Sequence, residues 1–424
     1  MVDILELADR LWRGEADIAA HHPVTGGRGL TEVADEVAYV ASFARVSAFR
    51  THDGLVLVDT GHALAAEGIH AAVRNWAPGP GGHLSTAIFS HGHIDHVFGV
   101  GVFEEEARTQ RWPAPTVVAH EAMAARFDRY KLTAGYNAVI NQRQFGIDGL
   151  TWPTEYRYPD RTYQDALELE VGGVRFELHH ARGETDDHTW THVPEREIIC
   201  TGDLFIWASP NAGNPQKVQR YPIEWARALR EMSALGARML LPGHGYPVVG
   251  HDRVREALTT TAELLEAIAT QTLELMNSGA RLNDVIHSVE MPSALLELPW
   301  LRPVYDDPEF IVRNIWRQYG GWYDGDPSSL KPAPERQLAA ELAGLAGGAS
   351  RLAARAEALL SAGSPADLRL AGHLAELAAL AEPDAAAIHR VRAEVFATRA
   401  AAETSTMAKG IFGWAARESQ RHLG

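Results

Sequence analysis

The segment His91-Gly-His-Ile-Asp-His96 sets four potential metal ligands within six residues, directly after the run Thr86-Ala-Ile-Phe-Ser90. That run has the content of a buried strand, so the donors are expected on an irregular loop at a strand end. Alternation along an extended segment sends His91, His93 and Asp95 to one side, while His96 can turn to a neighbouring centre. One loop can thus serve two adjacent cations. Two cations roughly 3.5–4 Å apart can share a bridging hydroxide, a nucleophile available at neutral pH because the metal charge lowers the pKa of bound water.

Such a site must be built from histidine and carboxylate, because the 424 residues include 20 His and a single Cys. One cysteine excludes a disulfide framework and any cysteine-built zinc or iron–sulfur centre. A net charge of -16, from 39 basic and 55 acidic side chains, argues against nucleic acid and anionic membranes as partners. Residues 1–20 alternate charged and apolar positions without the apolar core of a signal peptide, and no later window offers the roughly 20 apolar residues of a membrane span. A cytoplasmic protein is expected.

The length suggests two or three domains. Strands alternate with helices over the first 250 residues, and Ala, Leu, Glu and Arg at helical spacing fill the rest, so domains 1–250 and 251–424 are expected. Strand candidates are Val37–Phe43, Val46–Arg50, Leu55–Asp59, Thr86–Ser90, Thr116–Ala119, Glu197–Thr201 and Met239–Leu241, with a hairpin over Ala166–Leu178 turning at Gly172-Gly173. Helices are expected over Leu64–Trp76 and from Asp252 to about Asn277.

A two-metal site needs more ligands than one loop supplies, and they occur at other strand ends. Asp203 follows Ile198-Ile-Cys-Thr-Gly202 and could bridge both metals. His244 sits in a Pro-Gly-His-Gly turn after Met239–Leu241, and Glu184 lies just past Val174–Leu178.

These four separated motifs, together with Val58-Asp-Thr-Gly61, resemble the metallo-β-lactamase fold over roughly Glu36 to Gly250. The resemblance implies an αββα sandwich, an α/β fold, followed by an all-α helical domain. Where most of that superfamily has a ligand His in Gly-His-Thr-x-Gly-His, this chain reads Gly183-Glu-Thr-Asp-Asp-His188. A Glu there looks like the alkyl sulfatase branch, with Asp187 or His188 as the alternative ligands. Tyr305 to Pro327, Ala366–Ala375, Arg392–Val395 and Ala402–Thr404 look like the alkyl sulfatase dimerisation domain, which implies a homodimer; a helical cap on a monomer is the alternative.

The reading that results is a dinuclear metal-dependent hydrolase. His91, His93 and Glu184 hold one divalent ion, Asp95, His96 and His244 the other, and Asp203 bridges; Asp95 and Asp203 are the catalytic carboxylates. Zinc is the first choice for this donor set, with iron or manganese as alternatives. Candidate substrate contacts are Lys217, Arg220 and Tyr221, near where alkyl sulfatases place a sulfate-binding Arg, and Tyr136, Asn141 and Arg143 in a second polar cluster. Gln216-Lys217 stands near that Arg position, and Lys lacks the planar fork of Arg. The expected substrate is a small ester such as an alkyl sulfate; another ester or a lactone is the alternative, and a catalytically silent dimeric scaffold is the alternative from another class. Trp207 is read as a pocket wall or a core residue, and Cys200 as core.

Overall fold

The computed structural model describes residues 3–25 and 29–423; residues 1–2, 26–28 and 424 lie outside the description. Contacts divide the chain into two compact units, one of residues 1–134, 152–278 and 285–320, the other of 135–151, 279–284 and 321–424.

The first unit is built on two mixed sheets. One runs in chain order through β1 (Gly29–Ala34), β2 (Val37–Ala41), β3 (Val46–Thr51), β4 (Gly54–Val58), β5 (Leu84–Ile88), β6 (Thr116–His120) and β7 (Arg161–Tyr163). The other comprises β8 (Ala166–Val171), β9 (Val174–His180), β10 (Thr189–Val193), β11 (Ile198–Gly202), β12 (Met239–Pro242) and β13 (Val248–Val249), in the order β13-β12-β11-β10-β9-β8. Pairing is parallel from β4 to β7 and between β11 and β12, and antiparallel elsewhere. β4, β11 and β12 are buried at every residue, as expected of strands covered on both faces.

The two sheets face each other. Phe49 of β3 meets Phe176 of β9 edge to face at 5.4 Å, and the Tyr39 hydroxyl of β2 donates to the Pro242 carbonyl of β12 at 2.9 Å. Helices Ala66–Trp76, Val100–Gln110 and Ala122–Leu132 bring Ile69, Val73, Phe103, Met123 and Phe127 into the core of the first sheet. Helix His251–Asn277 packs on helix Pro222–Ala234 and on β12 and β13. The result is the αββα order that the resemblance to the metallo-β-lactamase fold implied.

The predicted hairpin forms with Val171 opposite Val174, and Gly172 and Gly173 both have positive φ, 53° and 81°. Two such residues make the primed turn that matches strand twist. The composition break at 250/251 coincides with the start of helix His251–Asn277, whereas the contacts keep this helix, and residues 285–320 after it, with the sheets.

In the second unit, helices Glu335–Ala346, Ala349–Ala362, Pro365–Ala381, Ala386–Ala402 and Thr406–Arg421 pack through small side chains. Ala343, Ala349, Ala353, Ala378 and Ala379 form one cluster with Leu352 and Ile388, and Ala356, Ala371 and Ala375 another with Leu359 and Val395. Among the described residues, no helix is long and apolar enough to cross a membrane.

Candidate metal centre

β4, β5, β9, β11 and β12 each end at the same place. β5 delivers Ser90 and His91; helix Ile94–Val97 carries Asp95 and His96; the turn after β9 carries Glu184; Asp203 follows β11 and His244 follows β12. The structure brings together ligand atoms of His91, His93, Glu184 and Asp203 in one group and of Asp95, His96 and His244 in another, each within 4.8 Å. Asp203 faces both groups: its Oδ1 lies 3.5 Å from His96 Nε2, and its Oδ2 lies 3.3 Å from His244 Nε2 and 3.8 Å from His91 Nε2. Close packing against Gly243 makes this placement possible, since a Cβ there would lie 2.2 Å from Asp203 Oδ1.

Three of the four histidines are oriented by their other ring nitrogen. His91 Nδ1 lies 2.9 Å from Ser90 Oγ, His96 Nδ1 2.7 Å from Asp59 Oδ2, and His244 Nδ1 donates to the Phe43 carbonyl at 2.7 Å. All three rings are thereby left with Nε2 toward the centre, the arrangement that outer partners impose on metal-binding imidazoles. Asp59 also accepts from the Ser90 N–H and hydroxyl, both at 2.7 Å.

The donor set fits divalent cations. Glu184 Oε2 lies 3.4 Å from His91 Nε2 and 3.3 Å from His93 Nδ1, and Asp95 Oδ2 lies 3.5 Å from His96 Nε2 and 3.3 Å from His244 Nε2. Ligands at bond lengths near 2.1 Å around a tetrahedral ion are about 3.4 Å apart. Moreover, Glu184 Oε2, His96 Nε2 and Asp203 Oδ1 are buried without a hydrogen-bond partner among the described residues, a loss of about 1–3 kcal/mol each unless a cation compensates it. Burial would push the carboxyls up, but His93 and Arg220 hold Glu184, and His244 and His96 hold Asp203, well below the ordinary range. Burial opposes the charged form of Asp95 too, and His96 and His244 overcome it.

Asp187 and His188 lie outside both groups. Asp187 accepts from the Gly92 N–H at 2.9 Å and meets Arg126 Nε at 2.7 Å; burial raises its carboxyl, and Arg126 outweighs this and brings it down to about 2. His188 Nε2 reaches the Thr201 carbonyl at 3.1 Å, and its ring stacks on His91.

Of the candidate substrate contacts, Lys217 is half-buried with its amine 5.7 Å from the centre of the Trp152 ring; burial, then the Arg220 charge, lowers it to about 8. Arg220 is buried, and its guanidinium faces Glu184. The Tyr221 ring lies under Arg182, and its N–H donates to the Gly183 carbonyl. Tyr136, Asn141 and Arg143 lie on helix Ala134–Phe145 in the second unit; Tyr136 is exposed, while Asn141 is buried and donates to the Asn137 carbonyl. Trp207 is fully buried, with its indole N–H on the Tyr246 carbonyl, and Cys200 is a buried free thiol.

Sequence reasoning missed three residues here. Asn211 donates to Glu184 Oε1, Arg126 pairs with Asp187, and Tyr305 has its phenol pushed well above the ordinary value by burial and by the charges of Glu184, Asp95 and Asp203. Tyr305 was visible in the aromatic segment after Pro299, but nothing in its spacing pointed at the metal ligands.

Residues 42–244 match the metallo-beta-lactamase superfamily, and residues 281–422 match the alkyl sulfatase dimerisation family. A linear primary-alkylsulfatase of Pseudomonas sp. is 25% identical over an alignment of 324 residues that covers 71% of this chain and 60% of the relative. The alkyl/aryl-sulfatase BDS1 of Saccharomyces cerevisiae is 25% identical over 375 residues, 82% of this chain and 56% of the relative. The chain therefore spans under two thirds of the length of these curated relatives. The solved structure of the stereoselective inverting sec-alkylsulfatase Pisa1 from Pseudomonas sp. superposes with a TM-score of 0.82 at 22% identity, covering 94% of this chain and 66% of that one, which shows a shared fold.

Proposed function

Because residues 42–244 match the metallo-beta-lactamase superfamily and residues 281–422 the alkyl sulfatase dimerisation family, we propose that the chain is a dinuclear metal hydrolase acting on a small ester, with an alkyl sulfate as the first substrate to try. The observation that carries the proposal is the convergence of four histidines and three anionic carboxylates, with buried acceptors that lack any other partner. His91, His93 and Glu184 would hold one divalent ion, Asp95, His96 and His244 the other, with Asp203 between them. Zinc is the first choice, and iron or manganese also suits the carboxylate share. Such ions supply acidified water at neutral pH and offset charge developing on the substrate oxygens.

The protein's own residues do the rest. Asp59, Ser90 and the Phe43 carbonyl hold the imidazoles so that they need not reorganise during turnover. The Lys217 amine, lowered to about 8, is still mostly protonated at neutral pH and provides positive charge for an anionic substrate. Buried Trp207 belongs to the packing beneath the site rather than to a substrate wall. Association into a homodimer through the helical region, and a cytoplasmic setting, are part of the same proposal; sedimentation and cell fractionation test them.

The main test combines metal analysis with parallel assays on alkyl sulfates, carboxylic esters, lactones and phosphodiesters. Two ions per chain and alkyl sulfate turnover are expected. Turnover of a non-sulfate ester or lactone alone would retire the sulfatase reading. That second reading is favoured by Gln216-Lys217 near the position of the sulfate-binding Arg and by an Arg220 turned toward Glu184. Fewer than two ions per chain in active protein would overturn the dinuclear mechanism.

A further inference from the structure

We infer that Arg220 and Asn211 are positioning residues for Glu184, and that helix Pro308–Gly320 steadies Arg220 through Asn314. The inference rests on the dinuclear reading above and deepens it. Asn211 Nδ2 donates to Glu184 Oε1, Arg220 Nη1 donates to the Glu184 carbonyl, and Arg220 Nη2 lies 3.4 Å from the same Oε1. One carboxylate oxygen is thus engaged, while Oε2 has no hydrogen-bond partner among the described residues and faces His91 and His93. A glutamate can turn about its last bond and offer either oxygen or both; these donors select one.

The pairing also answers a charge problem. Where the superfamily pattern has a neutral His, Glu184 adds a negative charge in a buried site, and the buried guanidinium of Arg220 compensates it. Arg220 is itself gripped at its backbone. Asn314 Oδ1 accepts the Arg220 N–H at 3.2 Å and Asn314 Nδ2 donates to the Arg220 carbonyl at 3.0 Å, so one side chain imitates a strand partner. Gln219 Nε2 and Arg317 Nη2 hold Asn314 Oδ1 from either side, at 3.0 and 3.2 Å. Earlier in the same loop, Asp306 Oδ2 accepts the Gly213 N–H at 2.8 Å. The loop from Asp203 to Arg220 is therefore held by residues about 100 positions later in the chain.

The test compares wild type with Arg220→Gln, Arg220→Lys, Asn211→Ala and Asn314→Ala. Zinc affinity is read by competition with a chromophoric chelator, and kcat and KM are measured separately. Arg220→Gln is expected to weaken one of two zinc ions by about 10–100-fold and leave the other unchanged, in line with other outer-partner substitutions. Arg220→Lys should recover part of the loss, because it restores the charge without the fork. Asn211→Ala and Asn314→Ala should weaken the same ion less. If Arg220→Gln raises KM while both zinc affinities stay at the wild-type value, Arg220 binds substrate and the inference is overturned. Should that variant not fold, Asn211→Ala decides alone: unchanged zinc affinity rejects the inference. A wild-type protein that binds fewer than two zinc ions refutes the dinuclear proposal instead, and is recognised before any variant is made.

Discussion

His96 Nδ1 lies 2.7 Å from Oδ2 of Asp59, a residue 37 positions earlier that holds a left-handed backbone with φ of 61°. A non-glycine residue in that region is strained by about 1–2 kcal/mol, and it persists because three donors over-determine its carboxylate.

Asp59→Asn replaces one acceptor oxygen with a donor facing either Ser90 or His96. The ion proposed at Asp95, His96 and His244 is expected to bind about 10–100-fold more weakly, with the other unaffected. Chelator competition on the two sites separately checks this, and equal weakening at both would count against it.

Arg126 and Asp187 are almost fully buried, with side-chain exposures of 1% and 0%, and they tie the Gly92 backbone to the turn that follows β9. Arg126→Met leaves a buried anion unpaired, and a loss of about 3–5 kcal/mol is expected. Denaturant unfolding measures it. The double variant with Asp187→Asn should recover much of the loss, because the uncompensated charge goes with it.

Asp306 is completely buried, and desolvation raises its carboxyl from 3.8 to about 7 although the Gly213 N–H pulls the other way. The native state therefore keeps a proton that the unfolded chain releases near pH 4. Its stabilising contribution is complete below pH 3.8 and is lost as pH rises to about 7. Asp306→Asn lacks this loss, so the melting temperature of wild type should fall relative to the variant between pH 4 and 7 and run parallel above it. Parallel curves across the whole range would show that Asp306 ionises normally.

Leu338, Leu342 and Leu345 recur at helical spacing on Glu335–Ala346 and are exposed by 50, 38 and 78%. This stripe is the apolar face that the proposed homodimer would cover. Leu342→Glu is expected to shift sedimentation from dimer to monomer and leave the helical content measured by circular dichroism unchanged.

The candidate donors were legible as local signals, each after a strand pattern or in a Gly-containing turn, although the choice of Glu184 over Asp187 and His188 came from the resemblance to alkyl sulfatases. Their neighbours were not. Asn211 reaches Glu184 across 27 residues, and Arg126 reaches Asp186 across 60, with no spacing rule to connect them. Arg220 was read toward substrate because alkyl sulfatases place a sulfate-binding Arg in that region; in the structure its guanidinium faces Glu184. Strand β1, with exposed or half-exposed residues at five of six positions, and the two-residue β13 carry too little apolar pattern to be seen. Strand β10 follows His188 so directly that its Thr-Trp-Thr pattern merged with the ligand-bearing turn.

Residues 285–320 fold with the sheets although they lie beyond the boundary expected at 250/251. The smallest piece that could be exchanged between related proteins without disturbing its own chemistry therefore runs to about Gly320. A recombination point at 250 would separate Gly213 from Asp306 and Arg220 from Asn314, so chimaeras joined there should inherit a mismatched loop over the metal ligands. Lineages that shuffle their C-terminal helices are constrained to break the chain later than its composition suggests.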